Sequence, residues 1–439
     1  MISDISTDQD TFKNQLESLY TSLLRDDALA KLKEKAWQRF LEMGLPTRQS
    51  EVFQYIRLRT LYTKTFQPAP LVSIDPSLLS PYILPECSES VLVCVNGQYR
   101  PELSRLSAIP KRLVILPLQE ATRTYGSFLT NQWNRLLKEE SDPFAMLNAA
   151  LFQQGIFLYA APKTVMETPL QILHIHAAQG ISSWMAPRLQ GFIGAQSQLT
   201  LLSTHAYLSE EESLVNLSLD LVLDEESHVK YVQIPYAIPK KTWYFDAFRA
   251  SLKRNCTLRS VLATAGSSTV RNDYRIVLAG ENAEASLNGI WMLSGNHEAH
   301  AHILMEHQAP HCRSMQFFKS VLADASRSSF EGKILVRQAA QKTEAFQLNN
   351  NLLLSDHAKA DSKPNLEIFA DDVKASHGAT MGQLDREQLF YLRTRGYTEK
   401  AAKNLLVYGF CKEVIDLIPL LSLQNIMTQE AKGYLIQEA

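Results

Sequence analysis

Several signatures of self-sufficient chemistry are missing from this sequence of 439 residues. It has no GxxxxGK followed by Ser or Thr, so no P-loop cradles a nucleotide phosphate. No GxGxxG follows a strand-like run, and no GxSxG nucleophile elbow occurs. ATP hydrolysis or dinucleotide binding through a common motif is therefore expected of a partner. No flavin-binding motif is visible, which leaves a flavin unassigned. Cysteine is scarce and scattered (Cys87, Cys94, Cys256, Cys312 and Cys411), with no CxxC. That argues against a disulfide framework and against a dedicated zinc or permanent iron–sulfur site. There is no apolar run of about 18 residues to span a membrane. The opening MISDISTDQDTF is polar and acidic, unlike a signal peptide. The expectation is a reducing, cytoplasmic setting. Nor does one sign of charge dominate: 44 Lys and Arg against 46 Asp and Glu leave a net −2, which argues against nonspecific nucleic-acid binding.

What is present is an ordinary globular composition, 45% apolar and 21% charged, in a chain long enough for two or three domains. Phe12, Leu16, Leu19 and Leu23, then Leu29, Leu32, Ala36, Phe40 and Met43, recur on one helical face. Gly44 and Pro46 supply the stop, and Glu51–Tyr62 reads as a further helix. Five prolines from Pro68 to Pro85 mark a boundary. Beyond it the period changes to that of strands: LVCVNGQY (92–99), with an Asn-Gly turn, and KRLVILPL (111–118). A helical insertion is expected at about 127–154. Strand-like runs then dominate, among them LQILHIH (170–176), QLTLLS (198–203), LSLDLVL (217–223), HVKYVQI (228–234), YRIVLAG (274–280) and GKILVRQ (332–338). Helix returns near the end, with Asp385 and Thr398 as N-caps and Gly396 as a stop. Ala401, Ala402, Leu405 and Leu406 are expected to pack inward before Gly409, and a last helix follows Pro419. The expected organisation is a helical domain (1–67), a Pro-rich linker (68–90), a β-rich core (91–383) and a helical domain (384–439).

Polar breaks recur within the β-rich part: DEES at 224–227, KRNC at 253–256 and GENAE at 280–284. Their starts lie 29 and 27 residues apart. A stacked β-solenoid needs such spacing; a β-sandwich accommodates it too, and periodicity leaves both open.

Two histidine-bearing segments invite a chemical reading. GNHEAHAHILMEHQAPHC carries His297, His300, His302, His307, His311 and Cys312. On a strand, His300 and His302 share one face and could ligate a metal together, or simply hydrogen-bond to neighbours. HGAT (377–380) follows the strand-like run LEIFADDVKAS, so His377 with Asp371 and Asp372 could form an acid–base pair or ligand set, or be ordinary surface groups.

Long stretches resemble the SufB/SufD family of iron–sulfur cluster assembly proteins. The most specific is KPNLEIFADDVKASHGATMGQLDREQLFYLRTRGYTEKAAKNLLVYGF (363–410). SFEGKILVRQAAQKTEAFQLNNNLLLSDHAKAD (329–361), APHCRSMQFFKSVLADASRSSFEG (309–332), GLPTRQSEVFQY (44–55), VCVNGQYRPELS (93–104) and DPFAMLNAALFQQGIFLY (142–159) are similar as well. The GLPTR segment, the NNNLLLSD run and HGAT look like the SufD branch. Where SufB-branch sequences carry a cysteine thought to take part in cluster building, this chain has Asn349.

The resemblance implies a right-handed parallel β-helix flanked by N- and C-terminal helical domains. It implies a non-catalytic scaffold whose last strands pair with a SufB-like subunit. The C-terminal helices would dock a SufC-type ABC ATPase, with Leu389, Tyr391, Leu392, Arg395, Leu405 and Leu406 as contact residues. A homodimer stands as an alternative association. His377 maps onto the family histidine proposed to ligate a transient iron–sulfur cluster shared with SufB. Many SufD-branch sequences have a cysteine two residues earlier; here it is Ala375. That leaves one imidazole, completed by a partner's cysteine, and imidazole can replace thiolate on iron. Two other readings stand beside this one: a β-helix carbohydrate-active enzyme, and a metal-binding protein using the 297–312 histidines. The first needs paired carboxylates, and neighbours such as Asp371 and Asp372 point to opposite faces of a strand.

Overall fold

The computed structural model describes residues 2–23, 29–178, 180–235, 237–266 and 269–433, with side chains from residue 8 onward. Its centre is a solenoid in which successive strands alternate between two sheets. One sheet stacks Gly155–Ala160, Arg188–Ile193, Ser213–Leu223, Thr242–Leu252, Thr269–Leu278, Glu298–His307, Arg327–Val336 and Lys359–Ile368 in parallel. The other stacks Val91–Val95, Leu170–His176, Gln198–Tyr207, His228–Ile234, Thr257–Ala265, Glu284–Leu293, Arg313–Leu322, Thr343–Leu353 and Val373–Gly382. From Gln198 onward, each residue of this second sheet meets its partner 27 to 31 residues further on. The breaks at 224–227, 253–256 and 280–284 are the corners that feed three of these strands. The solenoid alternative therefore holds over the sandwich.

Those corners share one backbone device. Lys163, Gln196, Glu226, Asn255, Asn282, His311 and Lys342 all adopt left-handed φ of 58–63°. From Gln196 to His311, each donates its N–H to a carbonyl of the next coil at 2.9–3.3 Å. Left-handed backbone costs a non-glycine residue roughly 1–2 kcal/mol, which the inter-coil hydrogen bond offsets. The following residue turns inward: Ser197, Ser227, Cys256, Ala283, Cys312 and Thr343 are all buried. Only small side chains fit this column. Cys256 and Cys312 serve as corner filling, their thiols donating to the carbonyls of Asp224 (2.9 Å) and Gly280 (3.2 Å).

Helices cover the outer faces of both sheets. Ala30–Met43 and two helices inserted ahead of the parallel stack, Leu118–Glu139 and Pro143–Leu151, pack Phe40, Trp133 and Phe144 against Phe192, Trp243 and Phe245 of the first sheet. The C-terminal helices Glu399–Ile415 and Leu421–Gly433 lay Val407, Cys411, Val414 and Met427 on Val232, Val261, Ile290 and Val321 of the second. The 92–99 run is an antiparallel hairpin, with Asn96 and Gly97 both at positive φ in its turn. That geometry suits Asn-Gly.

Three local readings are corrected. The segment 51–62 is a 3-10 turn, Glu51–Phe53, and a short helix, Leu58–Tyr62, with no continuous helix between them. The helix after Thr398 runs through Gly409 to Ile415, and its inward residues are Ala402, Val407, Cys411, Val414 and Ile415. Ala401 and Leu405 face outward, because the longer helix turns a different stripe to the sheet. LEIFADDVKAS is two strands with a corner at 369–372, so Asp371 and Asp372 sit in that corner.

Candidate functional site at the open end of the solenoid

Lys359–Ile368 and Val373–Gly382 are the last strands of their sheets, each paired on one side only among the described residues. Ten residues of extended chain present about 33 Å of free edge. The two edges differ in chemistry. Lys359–Ile368 carries two lysines and Pro364, features that discourage strand addition; its Lys363 is held by Glu51 and by Glu331. Val373–Gly382 reads VKASHGATMG, rich in small residues, with a single lysine and no proline. This edge can accept another strand. Ile368, Phe369 and Met381 stand exposed around it.

Val373 and Ala375 pack against the solenoid core. His377, two residues further on, therefore faces the same way, into the open mouth of the lumen, where it is exposed. In parallel register it lies opposite Gln347. Gln347, Asn349 and Asn351 form a buried amide row on the strand above. Gln347 Nε2 donates to Gln316 Oε1 at 2.8 Å, and Asn351 Nδ2 to Asn349 Oδ1 at 2.7 Å. Ala375 stacks in register with Ala345, so methyl groups occupy the position of the missing thiol.

The 297–312 histidines are dispersed by strand alternation. Ala299, Ala301, Ile303 and Met305 belong to the interior core, so His300 and His302 share the outward face, as expected. Each is engaged there: His300 Nδ1 with Ser329 Oγ at 2.7 Å, and His302 Nδ1 with Asp273 Oδ2 at 2.7 Å. Burial works against the Asp273 charge, but Arg249, Arg271 and His302 outweigh it and hold the carboxyl well below its usual range. His307 points inward, bonding Ser314 Oγ at 2.8 Å, and His311 is one of the left-handed corners. Among the described residues, no three His, Cys, Asp or Glu side chains are grouped to hold a metal ion. His377 fits the role of a single ligand to a centre completed from outside.

A second histidine group escaped the sequence reading. His174, His176 and His205 stack inside the upper lumen. His176 Nε2 bonds His205 Nδ1 at 2.9 Å, His205 Nε2 bonds Tyr244 OH at 3.0 Å, and Gln233 links Tyr244 to Tyr274. The signal was there: His-x-His in LQILHIH, on the same face as Leu170 and Ile172.

The helix Arg386–Thr394 starts on Asp385, whose carboxylate accepts from the N–H groups of Glu387 and Gln388. None of its residues is buried. Leu389 and Leu392 are half-buried, whereas Phe390, Tyr391, Arg395, Tyr397 and, on the next helix, Leu405 are exposed. Leu406 is half-buried. Arg395 donates to Tyr391 OH at 2.9 Å.

The fold and site define a β-solenoid scaffold, helix-clad on both faces, with one open end bearing His377. Residues 175–410 match the SUF system FeS cluster assembly SufBD core domain, and residues 9–172 match the SufBD protein N-terminal region. The chain belongs to the SufBD family of iron–sulfur cluster assembly proteins. It is 29% identical to the iron-sulfur cluster assembly protein SufD of Escherichia coli, over 87% of each chain. It is 27% identical to a SufBD family protein of Synechocystis, over 94% of this chain and 92% of that one. A SufBD family protein of Mycobacterium leprae is 35% identical over 40% of this chain and 47% of its own length. Among the described residues no helix is long and apolar enough to cross a membrane.

Proposed function

We propose that this chain is a SufD-type scaffold subunit of a cytoplasmic cluster-assembly complex, acting without catalytic chemistry of its own. The small-residue edge Val373–Gly382 pairs with a SufB-like subunit. That docking brings His377 to a transient iron–sulfur cluster, the complex's cargo, whose thiolate ligand comes from the partner. The exposed aromatic face of Arg386–Thr394, with Leu405, docks a SufC-type ABC ATPase. The observation that carries this reading is the placement of His377 on a proline-free edge that is unpaired among the described residues, at the open mouth of the lumen.

Coexpression with SufB-like and SufC-type subunits, followed by anaerobic reconstitution, tests it. His377→Ala is expected to leave the complex intact and to lower its bound iron and sulfide. Phe390→Glu with Tyr391→Glu is expected to release the ATPase alone. A chain that purifies by itself in the presence of both partners would overturn the proposal.

A further inference from the structure

Gln347 is buried at the mouth of the lumen, 3% exposed, directly opposite His377 in parallel register. Both lie on the lumen side of the second sheet. The Gln347 carboxamide is only half used. Its Nε2 is committed to Gln316 Oε1 on the coil above, which leaves Gln347 Oε1, like Gln316 Nε2, without a hydrogen-bond partner among the described residues. A buried amide oxygen without a donor is costly and calls for an explanation. The room for this side chain is itself built in. A Cβ added at Gly332 would come within 2.0 Å of Gln347 Nε2, so the glycine provides the space in which the amide lies. Of the other lumen-facing groups, Ser362 Oγ is also without a partner among the described residues, but it lies on the opposite sheet, whereas Gln347 stands in register with His377. Ala345, Ala375 and Ala379 carry no polar side-chain atom, and Asn349 Oδ1 already accepts from Asn351.

An imidazole that binds metal through one nitrogen keeps its proton on the other, and an acceptor for that N–H fixes tautomer and ring orientation. We propose that Gln347 is the positioning residue of His377: its side-chain carbonyl oxygen accepts one ring N–H and presents the other ring nitrogen to iron. This rests on the reading of His377 as a ligand. It adds that the ligand is oriented from within this chain, before any partner arrives.

The test uses the full chain, with nitrogen-15 spectra of the His377 ring (assigned by its loss in His377→Ala) and Co2+ as the metal probe. In the wild type the ring is expected in one tautomer. Gln347→Leu is expected to mix the tautomers and to raise the Co2+ concentration that broadens the His377 signals by about 10- to 100-fold. Gln347→Glu, isosteric and still an acceptor, is expected to restore the single tautomer and the Co2+ response, a rescue that a packing role would not produce. Unchanged tautomer and Co2+ response in Gln347→Leu, with Co2+ still broadening the wild-type ring, overturns the positioning role and leaves His377 as ligand. A wild-type ring indifferent to Co2+ in the chain and its complex overturns both.

Discussion

Arg249 grips Glu140 through two parallel hydrogen bonds, Nε to Oε2 at 2.8 Å and Nη2 to Oε1 at 3.0 Å, joining the fourth coil of the first sheet to the inserted helices. The same guanidinium reaches Asp273 at 2.6 Å, and Arg271 bridges Asp273 to Asp142. Asp142 in turn caps Pro143–Leu151 by accepting from the N–H groups of Phe144 and Ala145. A buried charge network thus fixes the insertion against the solenoid.

Removing Arg249 strands Glu140 in a buried site, while Asp273 keeps Arg271 and His302. Arg249→Met is expected to cost about 3–5 kcal/mol, the range for breaking a buried pair from one side. Chemical denaturation compares it with wild type. An exposed arginine changed in the same way, such as Arg254, is expected to shift the midpoint little.

Stability should fall on mild acidification. Burial depresses His174 and His176 to about 3 and His307 to about 4, and it drives His205 well below its usual 6.5. These groups stay neutral in the folded chain, while the unfolded chain takes up protons below about pH 6.5. Each therefore contributes stability that is present above 6.5 and is lost as the pH falls, by about 1.4 kcal/mol per pH unit. Asp246, raised to about 6 by burial, acts oppositely, as do Asp142 and Asp220, which burial also raises; the histidines, with His297 lowered as well, outnumber them. The denaturation midpoint is expected to drop between pH 7 and pH 5, and His205→Gln to flatten that drop.

All five thiols are free and buried, and burial pushes Cys312 up to about 11 and Cys411 and Cys87 up to about 12. Thiolate is the reacting species, so alkylation in native buffer is expected to be slow and to reach five only in denaturant. Rapid labelling of Cys256 or Cys312 in the folded chain would contradict their place as corner filling.

Glu284, Arg313, Glu344 and Lys374 stand in register on the outer side of the second sheet, with contacts of 3.8, 3.3 and 3.3 Å. The sign alternates coil by coil and stops at the exposed Lys374. A partner strand added in register would continue it with a carboxylate. Lys374→Glu, which sets like charges opposite Glu344, is expected to lower the melting temperature only slightly and to weaken copurification with a SufB-like subunit, more at low salt than at high.

The solenoid was partly legible because its corners broke the strand runs at near-regular spacing, and the long matching stretches resolved it against a sandwich. The site was less so. His377 was singled out through family likeness, whereas Gln347 drew no attention, since a lone glutamine within a strand run has no local signature. The 297–312 histidines looked like one cluster because they are close along the chain. Alternation sends His300 and His302 outward and His307 inward, and proximity in sequence is then no guide.

The sequence alone determined the alternation of strand and break, the helix caps at Asp385 and Thr398, the Asn-Gly hairpin turn, and the lack of nucleotide motifs, because each depends on residues within a few positions. Stacking decided the rest. Which residues share a column some 30 positions apart, which edge stays open, and which amide oxygen lacks a donor all follow from coil-to-coil register, and backbone hydrogen bonding between distant segments sets that register.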